Sequence, residues 1–355
     1  MSKTLGWGII GAGSIACKLA EALPDVKGAK LVAIGSRQQK KADAFGDRYN
    51  IPHRHDSYEK LVGDPDVDVV YVATPHPMHR PHALLALKAG KGVLVEKPFT
   101  VNAGEASEVV RTARRKKLFC MEAMWSRFLP SVLKARELIA AGAIGDLRMV
   151  MADFGFRAGV DRKGRLFAPE LAGGGLMDVG VYAVSFAMSL LGEPEKIVSL
   201  MEPTVTGVDG QAGIVMRHAG GELSLLATGV RTNTLQEATI LGTDGHIRLH
   251  APWWAGGPLT VVAGGKEKVV KAPVAENGFV YQCREVVKCV KAGRLESDIM
   301  PLDESLSEMK TLDAIRAQWG LKYPMERKHA KTAKKKPTKK TVKRTAKRKV
   351  KKTHQ

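Results

Sequence analysis

Along residues 1–123, short, mainly apolar runs alternate with longer stretches patterned for helices. The runs fall at 5–10, 30–36, 67–73, 93–95 and 118–122. Runs this short, bounded by turn residues, read as strands buried on both faces. Helical patterns follow the first run, cover 81–89 up to Gly90, and cover 102–116. Gly90 suits the left-handed turn that ends a helix. Strands alternating with helices predict an α/β Rossmann, doubly wound parallel sheet, with ligands at the strand C-terminal ends. From residue 147 the pattern shortens. Segments 147–155, 196–202, 212–217, 222–230, 235–241 and 245–250 read as strands, with one helix at 175–191. They predict an α+β domain with a large open, mainly antiparallel sheet. An amphipathic helix at 130–141 crosses between the two units. The predicted division is 1–123, 124–326 and a tail, 327–355.

Charge alters this picture only at the tail. The 355-residue chain carries a formal net charge of +20, and residues 327–355 hold fifteen Lys and Arg with no Asp or Glu. The remaining 326 residues carry 41 basic against 36 acidic side chains, a net of +5. The body is therefore an ordinary protein surface with a basic appendage. Almost devoid of apolar side chains, the tail is expected to be disordered. It reads either as a solubilising extension or as a sequence-independent contact for nucleic acid and other polyanions.

The first run leads into Gly11-Ala12-Gly13-Ser14-Ile15-Ala16 and then a helix. A G-x-G-x-x-A turn in that context predicts a dinucleotide site. Gly11 permits the turn and Gly13 admits a pyrophosphate. Ala16 lets the helix lie close to the sheet, whose N-terminal N–H groups at Ser14 and Ile15 face the phosphates. The second strand ends in Ser36-Arg37, where an NAD-selective site would carry an acidic residue. A hydroxyl and a guanidinium suit a 2′-phosphate, so the expected cofactor is NADP. Thr74-Pro75 and Glu96-Lys97-Pro98 follow later strands and are placed on the cofactor side. His79 and Arg127 are further candidates for contact with cofactor or substrate.

These motifs together resemble the glucose–fructose oxidoreductase and inositol dehydrogenase family, Gfo/Idh/MocA. The segments 119–128 (FCMEAMWSRF), 173–182 (GGGLMDVGVY) and 58–61 (YEKL) are similar to one branch of it. That branch comprises the dimeric trans-1,2-dihydrobenzene-1,2-diol dehydrogenases, which also oxidise D-xylose with NADP. The resemblance covers residues 5–326. It implies an NADP-dependent oxidoreductase moving a hydride to or from a secondary alcohol of a sugar or cyclic diol, and a homodimer formed through the sheet of the second domain. It also implies Lys97, Asp178 and Tyr182 as the catalytic group, Tyr182 standing where most family members have His. Two assignments stay open: Tyr182 as the base, its pKa depressed by Lys97, or Lys97 as the base with Asp178 as partner. Trp125, Phe154, Trp254 and Phe279 match positions lining the substrate pocket of that branch. A different sugar dehydrogenase or aldose oxidoreductase of the same superfamily, and a nucleic-acid-associated protein using the tail, are the competing readings.

Cys17, Cys120, Cys283 and Cys289 show no metal-type spacing. The histidines at 53, 55, 76, 79 and 82 have no carboxylate at ligand spacing, so no metal is expected. The first strand begins by Leu5, which argues against a signal peptide, and no apolar run is read as long enough to span a membrane. The expected location is the cytoplasm.

Overall fold

A computed structural model describes residues 4–326; the basic tail, and every expectation attached to it, lies outside them. The first sheet comprises β1 (Leu5–Ile10), β2 (Ala29–Gly35), β3 (His53–His55), β4 (Val69–Val72), β5 (Gly92–Glu96) and β6 (Cys120–Ala123). All its pairings are parallel, in the order β3-β2-β1-β4-β5-β6. Its central strands β1, β4 and β5 are buried along their whole length, as expected when helices cover both faces. The strand order reverses between β1 and β4, which opens a crevice at their C-terminal ends.

The second sheet contains β7 (Leu147–Gly155), β8 (Pro194–Pro203), β9 (Asp209–His218), β10 (Leu223–Gly229), β11 (Ala238–Gly242), β12 (Gly245–Leu249), β13 (Leu259–Ala263) and β14 (Lys266–Val270). Its order is β14-β13-β12-β11-β7-β10-β9-β8, antiparallel except where β7 and β10 run side by side in parallel. A π-helical turn, Leu176–Gly180, continues into the helix Val181–Leu191, which packs on β7 and β10. Residues 277–326 return to the first sheet. The helix Phe279–Lys291 packs on Ser14–Ala22, and Leu302–Gln318 packs on Ala103–Lys116. Asn277 donates to Lys18 O (2.7 Å), Arg114 pairs with Glu296 and Asp303 (2.8 Å each), and Arg316 donates to Val101 O (3.1 Å).

Two expectations need correction. The strand placed at 235–241 begins only at Ala238. Gln236 adopts a left-handed φ of 58°, with its N–H donated to the Asp153 carboxylate, so the chain cannot yet join the ladder. Residues Pro169–Leu191 are, by length and composition, apolar enough to cross a membrane, contrary to the reading of the runs. In the fold 83% of their apolar window is buried, which makes them a core segment.

Candidate active site

The glycine turn is shaped by backbone contacts. Gly11 has φ +99°, and a Cβ there would lie 2.9 Å from Ala73 O, so only glycine fits without strain. Its N–H donates to Gly35 O (3.1 Å), tying the turn to the end of β2. A Cβ at Gly13 would meet nothing within 4 Å, which leaves open space beside the turn. The helix Ser14–Ala22 starts with no side-chain cap and no acidic residue in its first turn, and Ala16 is fully buried against the sheet. An open space facing uncapped N–H groups is what a dinucleotide pyrophosphate requires, so the residues present fit that group. Ser36 is buried at the end of β2 and its N–H donates to His55 O (3.0 Å). Arg37 is exposed and acts on the Tyr58 hydroxyl. The Tyr58 ring stands edge-on to His82 (4.6 Å), whose Nδ1 lies 3.0 Å from Thr74 Oγ1.

Beyond the turn a cleft of about 400 Å³ separates the first sheet from β7 and the π-helical turn. Gly13, Ser14, Ile15, Thr74, Pro75, His79, Glu96, Lys97, Phe154, Asp178 and Tyr182 line it. Lys97 reaches across from the end of β5. Its Nζ donates to Asp178 O (2.6 Å) and sits 4.7 Å from the centre of the Tyr182 ring. The Asp178 carboxylate pairs not with Lys97 but with Arg165. Trp125 donates its indole N–H to the Tyr182 oxygen (2.9 Å). His79 has both ring nitrogens against carbonyls, Pro98 O at 2.8 Å and Thr74 O at 2.7 Å, so neither is free for a ligand. As a neutral imidazole it donates to one of these carbonyls and lies against the other, between the two strand-end loops.

The buried charges balance against one another. Burial pushes Lys97 down, but Tyr182, Asp178 and Glu96 outweigh it and hold the ammonium above its usual range. Asp178 is pushed up by burial and pulled further down by Lys97 and Arg165, so it stays ionised. Burial pushes Glu96 up to about 7 against the pull of Lys97 and its hydrogen bond with Tyr71. His76, 3.1 Å from Ala172 O through Nδ1, is driven to about 3 by burial and by its neighbours His79 and Lys97. Burial likewise takes His79 to about 4 against the pull of its two carbonyls. Tyr182 corrects an expectation. Lys97 does pull its pKa down, but the larger effect of burial leaves it above the ordinary value. In the resting site both Lys97 and Tyr182 therefore carry their protons.

The aromatic residues gather in layers rather than along one wall. Phe154 lines the cleft and stacks on Trp254 at 4.3 Å. Trp125 and Trp254 stand behind Tyr182, at 6.4 and 6.3 Å between ring centres. Phe279 packs on Trp125 at 5.2 Å, one layer further out. Trp125, Trp254 and Phe279 are thus not among the residues lining the cleft. Gly11, Ser36 and Arg37 also lie outside that wall, on the β2 side of the turn. Arg127 is buried, donates to Ser185 O (2.7 Å) and pairs with Glu304, so it serves packing away from the cleft. Sequence reasoning missed Arg165, Phe156 and Leu171 on the wall. Arg165 lies in a stretch without periodicity, so nothing local marks it. The statement that no carboxylate accompanies the histidines fails for His53 and His55, which share Asp64 across the end of a helix.

Residues 5–124 match the profile of the oxidoreductase family with an NAD-binding Rossmann fold, GFO_IDH_MocA, and 132–248 match the GFO/IDH/MocA C-terminal domain. Trans-1,2-dihydrobenzene-1,2-diol dehydrogenase of Mus musculus is 36% identical over 336 residues, covering 91% of this chain and 99% of that protein. The Homo sapiens protein of that name is 33% identical over 341 residues, with the same coverage. Among solved structures, the aldose–aldose oxidoreductase of Caulobacter crescentus, complexed with glycerol, superimposes with a TM-score of 0.83 at 26% identity, covering 90% of this chain and 98% of that one. The 3-ketoreductase KijD10 of Actinomadura kijaniata, in complex with NADP and TDP-benzene, shares the fold with a TM-score of 0.80 at 24% identity, covering 89% and 98%.

Proposed function

The chain belongs to the Gfo/Idh/MocA oxidoreductase family, with an NAD(P)-binding Rossmann domain, and from that premise we propose an NADP-dependent dehydrogenase acting on a secondary alcohol of a sugar or cyclic diol. One observation carries the reading: the Lys97 ammonium lies against the Tyr182 ring in the same cleft that the glycine turn opens into. The Gly11–Ile15 turn, Ser36, Arg37 and the Thr74-Pro75 strand end would hold NADP, which would supply the acceptor or donor of a hydride. Tyr182 accepts the Trp125 N–H at its oxygen, which leaves its own O–H directed at the substrate oxygen. Lys97, fixed by the Asp178 carbonyl, adds a second donor at the same place. In carbonyl reduction Tyr182 gives its proton to the substrate oxygen as hydride reaches the carbon. In alcohol oxidation the same proton returns to a deprotonated Tyr182 as hydride departs. Asp178 holds Arg165 at the cleft mouth, where the guanidinium can meet a polyol hydroxyl. The flat faces of Phe154 and Tyr182 suit a cyclohexadiene diol or the less polar face of a pyranose.

The mammalian relatives support a cyclic diol and the Caulobacter enzyme supports an aldose. Initial rates on benzene dihydrodiol, D-xylose and D-glucose, each with NADP and with NAD, separate these substrates. Turnover with NADP on at least one of the three is expected; no turnover with any of them, under either cofactor, would sink the proposal.

A further inference from the structure

On the edge of the first sheet three potential metal ligands converge. In strand β3 the sequence His53-Arg54-His55 places the two imidazoles on one face, because alternate residues of a strand point the same way. Asp64, capping the end of the helix Tyr58–Gly63, brings its carboxylate between them. His53 Nδ1 lies 2.7 Å and His55 Nε2 2.9 Å from the same oxygen, Asp64 Oδ2. One donor atom from each residue falls within 4.8 Å of the other two. We propose that His53, His55 and Asp64 form a binding site for a divalent zinc-class cation, with a fourth position left for water.

The donor set and its surroundings both support this. Two imidazoles and one carboxylate are the ligands of three-residue zinc sites, and bond lengths near 2 Å call for donor atoms a few ångströms apart. The supporting contacts needed to orient such ligands are already in place. Asp64 Oδ1 accepts the Asp66 N–H (2.9 Å), which reserves Oδ2 for the shared position. The other nitrogen of His53, Nε2, faces the Asp66 carboxylate at 3.7 Å. A carboxylate behind a ligating histidine fixes its tautomer and makes it a better ligand. Asp64 is buried while His53 remains one-third exposed, so an ion has a route in and an anchored ligand to meet. The nearby cations are engaged: Lys60 pairs with Asp56 (2.8 Å), and Lys91 donates to Asp64 O and Val67 O. In place of the imidazole hydrogen bonds to one carboxylate oxygen, the ion would tie β3 to the neighbouring helix. His55 O accepts the Ser36 N–H, so that tie also steadies the end of β2.

The test is titration of the full chain with Zn²⁺ by calorimetry, after chelator treatment and in a non-coordinating buffer, repeated with His53→Gln, His55→Gln and Asp64→Asn. Co²⁺ in place of Zn²⁺ adds a visible spectrum whose intensity reports four-coordinate binding. We expect one saturable site of micromolar affinity or tighter, weakened at least about tenfold in each variant, and a four-coordinate Co²⁺ spectrum lost with them. His53→Gln keeps a polar side chain at a partly exposed position, so it decides the matter alone if either other variant melts early. Absence of a saturable site, or Zn²⁺ affinity unchanged in His53→Gln, overturns the proposal, the second outcome placing the ion on other histidines or cysteines.

Discussion

At the scale of single residues, the cleft is poised to donate a proton rather than to take one. Lys97 and Tyr182 both lie above their usual pKa, so their acid forms persist across neutral pH. A reduction that uses the acid form should hold steady through neutrality and fall only in alkali. Alcohol oxidation, which needs the base form, should instead climb with pH over the same window. Measuring kcat/KM in both directions between about pH 6 and 10 checks the sign; oxidation that falls as pH rises would contradict it. Lys97→Met should cost about a hundredfold or more in kcat with NADP affinity within a few-fold, and Tyr182→Phe should do the same. Near-normal turnover in Tyr182→Phe beside an inactive Lys97→Met would move the proton to Lys97. Cofactor choice belongs to another residue. With Ser36-Arg37 where an acidic group would select NAD, NADP should bind at least about tenfold tighter than NAD, roughly 1.4 kcal/mol. Arg37→Ala should remove most of that preference by deleting a charge-assisted contact. Equal dissociation constants in the unaltered chain would refute the assignment.

At the scale of elements, the turn between β1 and its helix leaves little room for change. Gly11→Ala combines a φ of +99° with a Cβ 2.9 Å from Ala73 O. The expected cost is about 1–3 kcal/mol of stability, read as a lower urea midpoint at unchanged slope, together with weaker NADP binding. Unchanged stability and binding would mean the turn relaxes freely. This turn was legible from the chain because glycine spacing, an apolar run and a helix coincide within twenty residues. The same holds for β4 and β5, whose short, mainly apolar runs admit one reading. Elements set by distant partners were not legible. Strand β3 is three residues of His and Arg, held in register by β2 and by Asp64. The half-exposed β13 and β14 carry little periodicity, and the helices Phe279–Lys291 and Leu302–Gln318 owe their place to a return onto the first sheet. Site chemistry followed the same division. Lys97, Asp178 and Tyr182 were marked as candidates by Glu-Lys-Pro, the glycine run and the family resemblance. That Asp178 holds Lys97 by its carbonyl and Arg165 by its carboxylate depends on how the chain between Arg165 and Asp178, 13 positions apart, folds back on itself.

At the scale of the whole molecule, one face of the second sheet carries helices and the other carries an apolar row. Met151, Leu225, Val215 and Val198 stand side by side in register across β7, β10, β9 and β8. Leu200, 81% exposed, lies next to that row. Contiguous apolar surface of this kind marks an association site, and a homodimer through it is expected from the family resemblance. Val215→Lys with Leu200→Lys should shift the mass measured by light scattering from twice to once that of the chain; an unaltered mass would exclude this face. A separate prediction concerns the tail. Thirteen basic residues between positions 331 and 352, without a counter-charge, should bind nucleic acid irrespective of sequence and release it steeply between about 50 and 200 mM salt. The body, at only +5, should not replace that binding. Deleting 327–355 should therefore abolish polyanion binding while leaving kcat and KM unchanged, because a segment almost devoid of apolar side chains has little with which to pack into the cleft. Loss of dehydrogenase activity in a truncated chain with an intact circular dichroism spectrum would show the tail coupled to catalysis. Nucleic-acid binding retained after truncation would move the basic site onto the body, against its charge balance.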